Sequence, residues 1–232
     1  MKLVIAEKPS VAISIAKVIG ANKKKDGYYE GNGYRVSWCV GHLIQMANPD
    51  AYDEKYAKWN MADLPIITSD YKYEVAKATK KQFNILKKLM NDKEVDTVIN
   101  ACDAGREGES IFRLVYNQVN CKKKMKRLWI SSMEDSAIKE GFDNLTDGKD
   151  YDNLFESAQA RAIADWLVGM NISRLYSCLY QQNYSVGRVQ TPTLAMIVKR
   201  DDEIANYQKE KYYTVELSMN GFTLSTDRID DE

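Results

Sequence analysis

Two short apolar runs, KLVIA at 2–6 and VDTVINA at 95–101, are each followed by acidic and small residues and then by a helical pattern. This repeated succession constrains the fold more than any other feature, because near-continuous apolar runs of this length suit strands covered on both faces. After the first run, EKPS leads into a helix over 9–19, with Pro9 in the first turn and Val11, Ile15, Val18 and Ile19 forming one apolar stripe. After the second, DAGREGE at 103–109 reads as a turn and SIFRLVYNQV as the body of a helix. KRLWI at 126–130 reads as a further strand, and Ser132 with Asp135 three residues on starts a helix running to about 143. Strand and helix in alternation favour an α/β fold around a parallel sheet.

The region between these runs is less regular. YYEGNGYRVSWCV reads as a hairpin turning at Gly31, Asn32 and Gly33, and a helix is expected over about 77–91. Past the TDGKD turn at 146–150 the pattern changes: residues 151–205 contain one proline and few strand signals, so a second, mainly helical unit begins there. KYYTVELSMNGFTLSTD then reads as a hairpin turning at Asn220 and Gly221. Two strands alone are marginal in water, so this hairpin predicts that the chain is part of a longer protein.

At 232 residues the length suits one large or two small domains. Thirty-three basic residues balance thirty-three acidic ones, so an anionic partner has to be held by local patches. Cys39, Cys102, Cys121 and Cys178 form no CxxC pair and His42 is the only histidine, which argues against a zinc site or disulfide framework. The apolar run LVIA is too short for a signal peptide and no stretch approaches a membrane span, which predicts a reducing, cytoplasmic location without membrane contact.

Glu7 and Lys8 follow the first strand, and Asp103 and Glu107 follow the strand at 95–101. Groups just past the carboxyl ends of parallel strands converge in one crevice. Carboxylates there hold Mg²⁺ through oxygen ligands, and one further acid can exchange a proton with a phosphate ester. The same spacing equally suits Asp103 as a helix cap and Glu107 as a first-turn carboxylate favoured by the helix dipole. Neither GxxxxGK[ST] nor GxGxxG follows any expected strand, so no nucleotide cofactor is expected.

VIAEKPSVA at the start, DAGREGES at 103–110, RLWISSM at 127–133, ARAIADWLVGMNISR at 160–174 and SVGRVQTPTLAMIVKRDDEI at 185–204 together resemble the amino-terminal part of bacterial type IA DNA topoisomerases. The resemblance implies a TOPRIM domain, Rossmann-like, over 1–150, a helical single-stranded-DNA-binding part over 151–207 and the start of an arch over 208–232. It implies Glu7 as proton donor or acceptor, Lys8 on the scissile phosphate, and Asp103 and Glu107 as Mg²⁺ ligands. The family pattern Asp-x-Asp-x-Glu has Gly105 at its middle position here, which removes one ligand. Glu109 is no substitute, since two residues along a helix turn it about 200° from Glu107.

Arg161, Asp165, Arg174, Arg188 and Gln190 are the expected DNA-binding residues, because a planar guanidinium binds phosphate or stacks on a base. Arg161 and Asp165, four apart, also suit a surface ion pair. Trp166, Tyr176 and Tyr180 at helical spacing suit core packing, and His42 a structural hydrogen bond. The family cleaves with a tyrosine that has arginine two residues later, and none of the 15 tyrosines does. Hence this chain alone should not cleave DNA, and the remaining carboxyl-terminal domains of the same enzyme are its implied partner. Another TOPRIM enzyme, a primase or nuclease, and a non-catalytic single-strand-binding module are the competing readings.

Overall fold

The computed structural model describes residues 1–230. Its centre is a seven-stranded sheet in the order β2-β3-β4-β1-β7-β8-β9. β1 (Lys2–Ala6) lies in the middle, parallel to β4 (Tyr34–Trp38) on one side and to β7 (Thr97–Ala101) on the other. β8 (Lys124–Arg127) continues the parallel set, while β9 (Thr146–Asp147), β2 (Lys23–Lys25) and β3 (Tyr28–Gly31) are antiparallel additions at the edges. The small antiparallel pair β5 (Ile44–Met46) and β6 (Tyr73–Val75) stands apart from the large sheet.

β1 shows why its residues form a central strand. Leu3 and Ile5 join one apolar cluster with Leu86, Met90, Phe112 and Val115, while Val4 and Ala6 join another with Ile15, Val36 and Ile138. Alternate side chains thus point to opposite faces, and both faces are covered. α2 (Lys80–Asn91) and α3 (Arg106–Gln118) supply the first cluster; α1 (Pro9–Ile19) and α4 (Asp135–Asp143) supply the second. Each such aliphatic side chain contributes about 1.5–3 kcal/mol through burial.

Several expected boundaries move. The strand expected at 126–130 is β8, Lys124–Arg127, beginning two residues and ending three residues earlier; Arg127 is buried and Trp129 exposed. α4 begins at Asp135 with Glu134 at the cap position, and the Ser132 hydroxyl accepts instead from the Glu134 N–H at 3.2 Å. The helix expected from about 77 opens as a 3₁₀ turn over Lys77–Thr79. The hairpin at Asn32 and Gly33 forms as expected, both residues adopting positive φ.

α5 (Asp152–Tyr180) runs for 29 residues. The change of composition near 150 does not end a compact unit, since the first one runs from Met1 to Val186 and includes this helix. Polar contacts bind α5 to the irregular segment after β5: the Trp166 indole N–H donates to Ala47 O at 3.1 Å, and the Asn171 amide exchanges hydrogen bonds with the Ile66 backbone at 2.6 and 3.0 Å. The second unit, from Gly187 onward, contains α6 (Gln190–Ala205) and the hairpin β10 (Glu216–Met219) and β11 (Phe222–Ser225), turning at Asn220 and Gly221. Among the described residues, no helix is long and apolar enough to cross a membrane.

Candidate functional site

Adjacent pairing of β1 and β7, with Ala6 opposite Ala101, brings the segments that follow them side by side. The Asp103 N–H donates to Glu7 Oε2 at 3.3 Å, so two of the expected residues meet directly. Lys8 is the cap residue of α1, where Pro9 takes the first helical position. Lys8 and Asp103 line one cleft of about 470 Å³ with Ser10, Ser14 and Ser131. Cationic head and helix amino terminus together make that place favourable for an anion.

Glu107 lies in the first turn of α3 and faces a different opening, a cleft of about 640 Å³ whose walls include His42, Arg106, Arg161, Asp165 and Trp166. His42 Nε2 contacts Glu107 Oε1 directly, so the sole histidine pairs with a candidate metal ligand. Sequence reasoning gave His42 a structural bond without its partner, because 65 residues separate the two.

Gly105 is extended, at φ 179°, and a Cβ there would meet no atom within 4 Å. The place where the family pattern has a carboxylate is therefore open but lacks the side chain. In keeping with this, no group of three or more His, Cys, Asp or Glu is placed to hold a metal among the described residues. The donors present nevertheless suit Mg²⁺, which keeps much of its water and is commonly bound through one or two carboxylates. Asp103 and Glu107 are both exposed and offer hard oxygen ligands.

Gly108 has a clear steric reason: a Cβ would stand 2.2 Å from Asp103 O and 2.7 Å from Asp103 N. The acidic loop lies directly on the first turn of α3. Beneath it Glu109 is fully buried, accepting from Asn100 Nδ2 and Arg113 Nε, both at 2.9 Å. Arg127, also buried, donates to the carbonyls of Cys102 and Asp103 at 2.7 and 2.6 Å. Burial lowers its pKa, and the Glu109 charge opposes that shift. The sequence reading assigned no role to Arg127; its only signal was a charge near the start of an expected strand.

The expected DNA-binding residues separate. Arg161 and Asp165 form an ion pair at 3.7 Å, half exposed, on the wall of the Glu107 cleft. Arg174 is only 6% exposed; it donates to Tyr56 O at 2.9 Å and its guanidinium lies 5.3 Å from the centre of the Trp59 ring. Its donors face protein. Arg188 and Gln190 belong to the second compact unit. Trp166, expected in the core, is only partly buried between Tyr52 and Tyr71 on the cleft wall, and Tyr176 and Tyr180 stack on each other at the surface.

Residues 2–133 match the Toprim domain family. The chain belongs to the Toprim family. Beyond this Toprim part, residues 149–231 match the DNA topoisomerase family, which disfavours the primase, nuclease and non-catalytic readings. The chain is 50% identical over 214 residues to DNA topoisomerase 3 of Bacillus thuringiensis strain Al Hakam, covering 92% of this chain and 29% of that protein. It is 47% identical over 223 residues to DNA topoisomerase 3 of Bacillus subtilis strain 168, covering 96% and 31% respectively. The chain thus spans under a third of the length of these curated relatives. Full-length topoisomerase I from Thermotoga maritima shares the fold, with a TM-score of 0.67, 23% identity, and coverage of 99% of this chain and 36% of that one. The Toprim match ends at residue 133 and the DNA topoisomerase match begins at 149, while the first compact unit extends to Val186.

Proposed function

We propose that these 232 residues are the metal- and phosphate-binding part of a cytoplasmic type IA DNA topoisomerase of the topoisomerase III kind, which cuts one DNA strand, passes another and reseals the break without a nucleotide cofactor. The observation that carries this reading is the meeting of Glu7, Lys8 and Asp103 at the carboxyl ends of β1 and β7 in a Toprim domain. Four free cysteines, three of them buried, agree with a reducing compartment.

Lys8 holds the scissile phosphate by its charge, reinforced by the amino terminus of α1. Glu7 exchanges the proton of the attacking or departing hydroxyl, and its bond to the Asp103 N–H keeps the carboxylate oriented. Asp103 and Glu107 would hold Mg²⁺, which when bound neutralises charge on the phosphate. Arg161 and Asp165 line the approach of a single strand, because their cleft is continuous with Glu107. No tyrosine here is followed two residues on by arginine, so the nucleophile comes from outside these residues and the chain alone does not cleave.

The test uses negatively supercoiled plasmid with Mg²⁺. The longer protein containing this chain relaxes it, and the 232-residue chain does not. Relaxation by the purified chain alone would sink the assignment of the missing nucleophile; no relaxation by the longer protein would sink the topoisomerase reading.

A further inference from the structure

Glu109 is 1% exposed, two residues past a candidate ligand that is open to solvent. A buried carboxylate persists only when its charge is answered. Here Arg113 Nε lies 2.9 Å from Oε1, and Asn100 Nδ2 and Arg127 Nε lie 2.9 and 3.1 Å from Oε2. The Arg127 Nε–H is not aligned for a hydrogen bond, so that contact is purely electrostatic.

The rest of the Arg127 guanidinium is spent on main chain. Nη1 donates to the carbonyls of Asn100, Cys102 and Leu128 at 3.1, 2.7 and 3.0 Å, and Nη2 donates to Asp103 O at 2.6 Å. Asn100 completes the ring, since its Oδ1 accepts from the Cys102 N–H at 3.0 Å. Trp129 and Tyr151, stacked on each other, cover the guanidinium at 4.9 and 5.8 Å and exclude water. Every peptide unit from Asn100 to Asp103 that leads to the candidate ligand is thereby tied, directly or through Asn100, to one buried carboxylate. On the far side, Arg113 Nη2 extends the chain of contacts to Gly148 O and Asp152 Oδ1, both at 2.6 Å.

We infer that Glu109 and Arg127 are positioning residues: the buried Glu109 carboxylate holds the Arg127 guanidinium, which holds the Cys102 and Asp103 carbonyls and thereby sets where the Asp103 carboxylate stands. The functional half of this inference rests on the proposed role of Asp103 in holding Mg²⁺. Glu109 itself is enclosed by protein, with its carboxylate turned to Asn100, Arg113 and Arg127. Its charge fixes a cation in a place where four carbonyls accept from it, and a neutral side chain of the same shape would loosen that grip.

The experiment compares the chain with its Glu109→Gln and Asp152→Asn variants. Glu109→Gln keeps the shape and removes the charge, while Asp152→Asn removes the charge at the outer end of the network, keeping an oxygen acceptor for Arg113, without touching Arg127. Two quantities are read: amide exchange at Asp103 relative to the core amides of Val4 and Ile99, and Mg²⁺ affinity by calorimetry. Glu109→Gln is expected to speed exchange at Asp103 by about tenfold or more over the core amides and to weaken Mg²⁺ by about 10–100-fold, the range seen when groups behind a ligand are lost. Asp152→Asn is expected to change neither by more than about twofold. A merely structural role would lower the unfolding temperature of both variants and leave the relative exchange of Asp103 and the Mg²⁺ affinity of the folded protein unmoved. Wild-type exchange and affinity in folded Glu109→Gln overturn the inference. Should Glu109→Gln fail to fold, Arg127→Lys, which keeps the charge and loses the fork, is read in its place with the same expected and overturning results. If the wild type shows no Mg²⁺ binding, the metal reading of Asp103 falls, while the exchange at Asp103 still decides the positioning.

Discussion

The main-chain N–H of Asp103 donates to the Glu7 carboxylate at 3.3 Å, joining two residues 96 apart in the chain. One oxygen of Glu7 is thus occupied by the loop that presents Asp103, and the position of one acid reports on the other. In the longer protein, Glu7→Gln keeps an oxygen acceptor for that N–H but cannot take a proton. Strand cleavage is expected to fall about 10²–10⁴-fold with oligonucleotide affinity within about twofold; unchanged plasmid relaxation would remove Glu7 from the chemistry.

Asp103→Asn, with the same shape, should weaken Mg²⁺ binding by the chain at least about tenfold, measured by calorimetry with a short single-stranded oligonucleotide present. Undiminished binding would place the metal elsewhere.

Gly105→Asp should do the reverse. The backbone is extended, a Cβ there is unobstructed, and the residue caps α3. The new carboxylate restores the middle position of the acidic pattern and favours the helix amino terminus by a few tenths of a kcal/mol. We expect Mg²⁺ to bind about tenfold more tightly at equal or higher thermal stability. Gly108→Ala, by contrast, drives a methyl into Asp103 O, and about 1–3 kcal/mol of destabilisation is expected in denaturant titration.

Arg161 and Arg174 should behave oppositely. Arg161→Ala removes a half-exposed charge on the cleft wall, so it should weaken oligonucleotide binding and reduce the slope of log K against log salt by about 1, with little change in unfolding temperature. Arg174→Ala empties a buried site against Tyr56 O and Trp59, so its main effect should be a lower unfolding temperature. An unchanged unfolding temperature in Arg174→Ala would contradict the packing role.

Acid stability supplies a further check. The Glu94 N–H and the Arg35 guanidinium hold the Asp92 carboxyl below its usual 3.8. A group bound less tightly to its proton when folded contributes stability above its unfolded pKa, and loses it as pH falls through the folded value. Asp92→Asn should therefore make the loss of unfolding temperature below about pH 4 shallower than in the wild type. Identical pH profiles would show that the pairing contributes nothing.

Much of the fold was legible because its signals are local. KLVIA and VDTVINA carry too many apolar residues for a one-sided strand, and Pro9, Gly33 and Gly221 punctuate where their backbone preferences demand. Other features were hidden where a side chain is read by type alone: Arg127 stands at the end of β8 with its guanidinium serving carbonyls inside the protein. Arg174 looked like a phosphate ligand for the same reason, since nothing near it in sequence announces Trp59 or the Tyr56 carbonyl.

The sequence by itself determined the alternation of strand and helix and the placing of Glu7, Lys8, Asp103 and Glu107 just past two strand ends, because each follows from side-chain type and short spacing; the missing carboxylate at Gly105 was legible only through the resemblance to the family pattern. Tertiary structure alone decided that Glu107 meets His42, that Glu109 is a buried anchor and no spare ligand, and that Arg174 faces inward. The physical reason is desolvation: a charged residue costs little in water and much inside, so its role is settled by which distant partners fold around it.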